Sequence, residues 1–391
     1  MANIEKIDEN QIVDYTRKTN KKREPLDVPF LLLVLILLTL GVIMLLSSSY
    51  ARAYYSDQPA TLYFSRQLLF AIFGLALMFF LAFIPVRLYK RYSMTVLFMS
   101  IALLILVLII GTVSNGSRRW IDLGAFTIQP SEIAKLGVIL SFSYMACAYK
   151  KKMKTLRFGV VPFAIVILII GILLILEPHL SATIIIVLVG STIMFLGGTK
   201  PKWFIFGFIF AVVFVGVYIN YIGYASDRFT AWQDPFKNSS DKGYQIAQSL
   251  IAIGSGGLNG LGFGNSRQKY LYLPEEHNDY IFSIICEELG YIGAVTILVL
   301  FALLIIRGFW LAMHCTDRYE FLVCSGITML LAVETFLNVA VVTNLIPSTG
   351  VSLPFFSYGG TALLLQLAEM GIILSISKDI PNKKQGRKIK T

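Results

Sequence analysis

The chain has 391 residues, of which 56% are hydrophobic and 15% charged, against roughly 45–50% and about 25% in ordinary soluble domains. That balance excludes a water-soluble globule and a disordered chain, and it points to a protein of the membrane. Its 34 Lys and Arg against 23 Asp and Glu give +11, which would suit a nucleic-acid or acidic-surface partner, so the placement of the charges decides their meaning.

A helix crossing the hydrocarbon needs about 20 largely apolar residues. The first such run, Val28 to Ala51, carries no charge and follows a polar tail of 27 residues. It is longer than the apolar core of a secretory signal and has no convincing cleavage site, so it reads as a retained first span. Further runs lie at 65–85, 94–113, 131–149, 158–176, 179–197, 203–222, 279–306, 320–345 and 359–377. The expected fold is therefore an all-α polytopic bundle of ten transmembrane helices. Only Glu177-Pro178-His179 divides the fifth run from the sixth, and a proline there breaks the helical ladder and predicts a tight hairpin.

With ten spans both termini share one side, and Lys and Arg choose it. On the tail side fall 24 of the 34 basic residues, in 1–27, 86–92, 150–157, 198–202, 307–319 and 378–391, with nine opposite and Lys135 inside a span. Both termini are predicted to be cytoplasmic, and most of the positive charge is then a topology signal. The chain divides into a basic tail (1–27), a membrane domain (28–377) and a second basic tail (378–391). Cytoplasmic connectors are short, whereas the exterior carries 114–130, a large extracellular loop at 223–278 between the seventh and eighth spans, and 346–358. Chemistry is expected on the outer face. The four cysteines and three histidines show no zinc spacing, and no structural disulfide is expected.

In the first exterior loop, Arg118 and Arg119 precede Trp120. Guanidinium forks suit phosphate or carboxylate oxygens, and the same trio would equally serve as interfacial anchors. Pro130-Ser131-Glu132 reads as a helix start, with Lys135 one turn deeper on the same face. A lysine inside a span faces a polar cavity or a partner, so Lys135 is a functional candidate, the alternative being an internal Glu132–Lys135 pair that stabilises the helix end. Residues 254–264, GSGGLNGLGFG, match no nucleotide-binding pattern and read as a turn after a short interfacial helix starting near Gly243. Asp279 opens the eighth span, as a helix cap, a base, or both. Glu287, Glu288, Glu334 and Glu369 lie deeper and suit interhelical hydrogen bonds or an ion path. Residues 347–360, with two prolines and three glycines, cannot be a regular helix. They either line a buried cavity or form an exterior connection.

These stretches resemble one family, the SEDS proteins (shape, elongation, division and sporulation) of the FtsW, RodA and SpoVE types. The resemblance covers all ten spans and rests on RRWIDLGAFTIQPSEIAK (118–135), DPF (234–236), the run from 243 to 282, EELG (287–290) and STGVSLPFFSYGGT (348–361). Members often carry QPDLG where this chain has Glu177-Pro178-His179-Leu180-Ser181, so no acid role passes to position 179. They often carry HTDF where it has His277-Asn278-Asp279-Tyr280, which keeps the aspartate. Asn278-Asp279-Tyr280 and Ala368-Glu369-Met370-Gly371 are closer to division and sporulation types than to elongation types.

The resemblance implies an inverting peptidoglycan glycosyltransferase that polymerises lipid II at the outer leaflet. It implies Asp279 as base, with Arg118, Arg119, Glu132 and Lys135 at the pyrophosphate, Arg119 being favoured for its place before Trp120. A divalent cation, Mg or Mn, held through Asp279 is the alternative use of that carboxylate; no nucleotide is needed. The implied partners are lipid II, a class B penicillin-binding protein and the proteins of a division or elongation complex, with no nucleic acid. A lipid II flippase or other transporter is the competing reading, drawing on Lys135, Glu334 and Glu369; a scaffold that only recruits an enzyme is a third.

Overall fold

The structure, a computed structural model, describes residues 25–114, 117–124, 126–207, 209, 231–237 and 241–381. Among them, eight helices are long and apolar enough to cross a membrane, and a ninth apolar helix is shorter. In chain order the helices are α1 (Val28–Tyr55), α2 (Leu62–Phe83), α3 (Val86–Ile110), α4 (Pro130–Tyr149), α5 (Val161–Leu176), α6 (Leu180–Leu196), α7 (Asp241–Ser255), α8 (Ile281–His314), α9 (Arg318–Val342) and α10 (Gly360–Ser377). Helix α7 is the short helix expected near Gly243, not a span. The run expected as the seventh span, 203–222, and most of 223–240 lie outside the described residues.

Helix ends follow local chemistry. Asp27 caps α1 by accepting from Phe30 N (3.0 Å) and takes a two-point ion pair from Arg307 of α8. Asp317 caps α9 through Tyr319 N (2.7 Å), and Pro130 opens α4 at a position whose amide would be unpaired anyway. Two boundaries depart from expectation. Residues 86–92, expected as a connector, are the first turns of α3, because Ile84-Pro85 alone reverses the chain. Asp279 is not the first residue of its helix: Tyr280 is the cap residue of α8, with no side-chain cap bond, and Asp279 sits in the preceding turn.

Burial sorts the helices. The apolar windows of α4, α9 and α10 are 78%, 72% and 78% buried, those of α2, α3 and α5 only 28%, 28% and 22%. Polar groups therefore gather on the first set, which forms the centre, while the second presents Ile72, Phe73, Phe98 and Ile109 outward as a lipid-facing helix must. Helix α2 lies along α10, α3 along α4, and α8 between α1 and α9.

The all-α expectation gains one addition. The polar loop after α3 is a small antiparallel sheet of order β1 (Thr112–Ser114), β2 (Ser117–Asp122), β3 (Thr127–Ile128). Backbone groups that leave a helix at the membrane surface must pair somewhere, and the sheet supplies the partners.

Helix α8 is broken at Gly290, whose φ of +68° is outside helical geometry. The glycine-rich segment fills the break. Leu261 N and Gly262 N donate to the carbonyls of Glu287 and Glu288 (2.9 and 3.0 Å), and Tyr291 N and Ile292 N donate to Gly257 and Leu258 (2.9 and 3.2 Å). A Cβ on Gly290 would lie 2.2 Å from Gly260 N, and one on Gly260 2.2 Å from Glu288 O. The glycines at 260 and 290 thus let two backbones touch, which explains both motifs without a phosphate. Gly290→Ala is expected to cost roughly 2–5 kcal/mol through positive-φ strain and overpacking, read as a lowered melting temperature of the full chain in detergent.

Candidate active site

The side chains of the same two motifs reinforce that seam. The Glu287 carboxylate accepts from Ser266 Oγ, Arg267 N (3.0 Å) and Gln268 N (3.3 Å). Glu288 accepts from Lys269 Nζ (2.9 Å) and Ser47 Oγ (2.7 Å). Both glutamates are consumed in holding the loop, as interhelical and loop hydrogen bonders rather than site groups.

The polar residues converge elsewhere. A cavity of about 910 Å³ opens at the sheet end of the bundle, lined among others by Arg66, Arg119, Glu132, Lys135, Asp279 and Glu334. Five elements that are distant in sequence meet there: α2, β2, the start of α4, the turn before α8, and α9.

Asp279 is half-buried and held from two sides. Asn338 of α9 donates through Nδ2 to Asp279 O (2.8 Å) and to Val351 O (2.7 Å), tying the turn before α8 to the segment before α10. A Cβ on Gly350 would come within 3.0 Å of Asp279 Oδ2, so the carboxylate faces that segment at close range. The segment itself is buried: Phe355 and Phe356 are inaccessible, Phe355 N donates to Gln366 Oε1 (3.0 Å), and a Cβ on Gly41, in the middle of α1, would meet Phe355 O. Of the two sequence readings of 347–360, the structure has the one in which non-helical backbone lines a cavity inside the bundle.

Lys135 pairs with Glu132 (2.7 Å), as the spacing predicts, and also with Glu334 of α9. An ammonium carries three N–H donors, so two are engaged and one is left for a ligand. Alternation along β2 separates the two arginines. Arg119 lines the cavity and donates to the carbonyls of Glu177 (3.4 Å) and Pro178, whereas Arg118 is exposed and reaches Leu108 O through Nη1 (3.4 Å). Arg118 is thereby removed from the expected site, since neighbours on a strand point to opposite faces.

Sequence reasoning missed several contributors. Arg66 lines the cavity from α2, where the sequence alone marks it only as an exterior charge. Arg52 forms a bidentate pair with the buried Glu276 (2.8 and 2.9 Å). Burial would raise the Glu276 carboxyl, but its contacts with His277, 3.5 Å away, and with Arg52 outweigh this and hold it below the ordinary glutamate range. The available signal was position: Arg52 and Arg66 lie on either side of the first exterior turn, at the end of α1 and the start of α2.

At the α5–α6 corner, burial pushes the Glu177 carboxyl up to about 8 against the opposing charge of Arg119, and neither of its oxygens has a hydrogen-bond partner among the described residues. Burial, then Arg119 and Lys135, lower the neighbouring His179 to about 3. The corner therefore holds a neutral acid and a neutral imidazole near pH 7. The folded chain keeps the Glu177 proton up to about pH 8, while the unfolded chain releases it near an ordinary glutamate value of about 4.3. Its contribution is fully present below that lower value and is lost as pH rises through the upper one. Glu177→Gln is expected to melt progressively higher than the native chain from pH 5 to pH 8.5, by on the order of a few kcal/mol at the top. A constant difference across that range would contradict it.

The family model described as cell cycle protein, covering the FtsW, RodA and SpoVE types, matches residues 28–381. The stage V sporulation protein E of Bacillus subtilis is 39% identical over 92% of this chain and 99% of its own length. The probable peptidoglycan glycosyltransferase FtsW of the same organism is 35% identical over 92% and 93%. Among solved structures, a chain of a peptidoglycan synthase complex that coordinates polymerization and crosslinking is similar with TM-score 0.74 and 28% identity, over 90% of this chain and 98% of that one. The rod shape determining protein RodA of Thermus thermophilus is similar with TM-score 0.68 and 29% identity, over 92% and 98%.

Proposed function

The chain belongs to the FtsW/RodA/SpoVE family of cell cycle proteins, and from that membership we propose that it is an inverting peptidoglycan glycosyltransferase polymerising lipid II. The observation that carries the reading is the convergence of Asp279, Arg119, Lys135 and Arg66 on one cavity at one end of the bundle. The full architecture is then ten spans, with 203–222 as the seventh and 223–278 as the large extracellular loop, set between basic tails at 1–27 and 378–391. Both termini lie in the cytoplasm and the cavity faces outward.

In the reaction the 4-hydroxyl of an acceptor GlcNAc attacks the anomeric carbon of a MurNAc, and undecaprenyl pyrophosphate leaves. The Asp279 carboxylate accepts the hydroxyl proton as the new C–O bond forms. The lining holds four Lys and Arg and five Asp and Glu, so the cavity is no general anion trap and local pairing decides where the pyrophosphate goes. Lys135 is balanced by two carboxylates, whereas Arg119 donates to the carbonyls of Glu177 and Pro178 on the cavity wall. Arg119 and Arg66 stabilise the departing pyrophosphate electrostatically, and the remaining N–H of Lys135 orients it. Glu132 and Glu334 fix Lys135.

A Mg or Mn ion would have Asp279 as its protein carboxylate and would take its other ligands from pyrophosphate oxygens and water, as magnesium commonly does. No three His, Cys, Asp or Glu side chains among the described residues converge as a metal site.

The partner is a class B penicillin-binding protein transpeptidase within a division, sporulation or elongation complex. The similarity to a chain of a polymerising and crosslinking complex supports this. The test is a lipid II polymerisation assay with the purified full chain and its transpeptidase. Glycan strands are expected. Movement of lipid II across vesicles without polymer would replace this reading by the flippase one, for which the buried Lys135, Glu334 and Glu369 are the relevant groups.

A further inference from the structure

A second cavity, of about 580 Å³, lies at the other end of α4 and is lined by Lys90, Lys150, Lys151, Lys154, Arg318 and Asp317, with Cys147 and Gly197-Gly198 between them. Glu132 at the start of α4 lines the first cavity and Lys150 at its end lines the second. The helix has 20 residues, so the two openings are about 30 Å apart, one hydrocarbon thickness. In the orientation proposed above, this cavity opens to the cytoplasm.

Its charge differs in kind from that of the active-site cavity. Five cations face one carboxylate, and Asp317 is already engaged in capping α9. None of the four lysines forms an ion pair among the described residues. Arg318 donates one Nη2 bond to Gly197 O (2.6 Å), which leaves most of its fork open.

The platform is also built rather than loose. Lys150 turns the chain with a φ of +41° into a 3₁₀ turn, Lys150–Lys154. Met153 of that turn is buried, and a Cβ on Gly159 would strike Met153 O at 1.8 Å. Thr199 Oγ1 donates to Gly159 O (3.0 Å). A topology signal requires basic residues near helix ends; it does not require five of them to converge on one concavity against a single acid. A volume in the ordinary ligand range ringed by unpaired ammonium groups calls for an anion.

We propose that this cavity is a binding site for a phosphate-bearing anion, either the headgroup of an anionic lipid in the adjacent leaflet or a soluble phosphate. Basic pockets between spans on the cytoplasmic side hold anionic headgroups in this way. Nothing in the transferase reaction uses the site, so it stands or falls independently of the function proposed above.

The test is a titration of the full chain in detergent with phosphatidylglycerol, phosphatidylcholine or inorganic phosphate, read by the thermal midpoint and by lipid retained in native mass spectrometry. Phosphatidylglycerol is expected to be retained and to raise the midpoint where phosphatidylcholine does not. Lys150→Gln, Lys151→Gln and Lys154→Gln together should weaken binding about tenfold or more. Lys202→Gln, on the same surface but outside the cavity, should leave it unchanged. Inorganic phosphate that gives the same shift and displaces the lipid supports the site with the phosphate group itself as ligand; a shift from the lipid alone supports it with the headgroup as source. Lys154→Gln alone, with about a fivefold loss expected, serves if the triple variant does not fold. Equal retention of phosphatidylcholine, unchanged affinity in the variants, or the same loss from Lys202→Gln would overturn the proposal.

Discussion

Asp279→Asn is expected to reduce glycan polymerisation by roughly 10²–10⁴-fold, the usual range for losing a positioned general base, while the protein melts within a degree or two of the native chain. The amide keeps the shape of the carboxylate, and the position of the residue depends on its backbone, which Asn338 grips through Asp279 O. Stability and catalysis should therefore separate at this residue. Binding of the transpeptidase and of lipid II should survive, so that the defect appears in turnover and not in complex formation. A variant polymerising within twofold of the native rate would remove Asp279 from proton transfer and leave it as a structural element of the turn.

The second large effect is expected at Lys135. Its ammonium lies between two buried or nearly buried carboxylates, Glu132 and Glu334, and breaking a buried pair by removing one partner costs roughly 3–5 kcal/mol because the other charge is left uncompensated. Lys135→Met should therefore lower both the melting temperature and the activity. Adding Glu334→Gln removes one stranded charge and is expected to recover much of the stability. If the third N–H of Lys135 contacts the pyrophosphate, activity stays low in that double variant. Recovery of polymerisation together with stability would assign Lys135 to holding α4 against α9 alone.

The spans and the site were legible to different degrees for physical reasons. Long apolar runs announce helices wherever the solvent is lipid, and every expected span within the described residues appears as a helix. Helix ends were less readable, because Asp279 and Tyr280 differ in role only through the turn geometry before α8. The Glu132–Lys135 pair followed from helical periodicity, and the separation of Arg118 from Arg119 from strand alternation, once a strand was known to be there. Glu334 as the second partner of Lys135, and Asn338 as the tie between two irregular segments, come from α9 packing on α4 and α8. Nothing local to either residue encodes that. The family resemblance supplied the chemistry, and the tertiary contacts decided which of the named side chains share a cavity.

The break at Gly290 makes the first turns of α8 and residues 257–269 a single stiff piece, cross-linked by backbone bonds, two glutamates and Lys269. The Asp279 turn is attached to one end of that piece and the loop that precedes it to the other. The Asp279 carboxylate is thereby presented from backbone that is anchored twice, by this seam and by the Asn338 bond to Asp279 O.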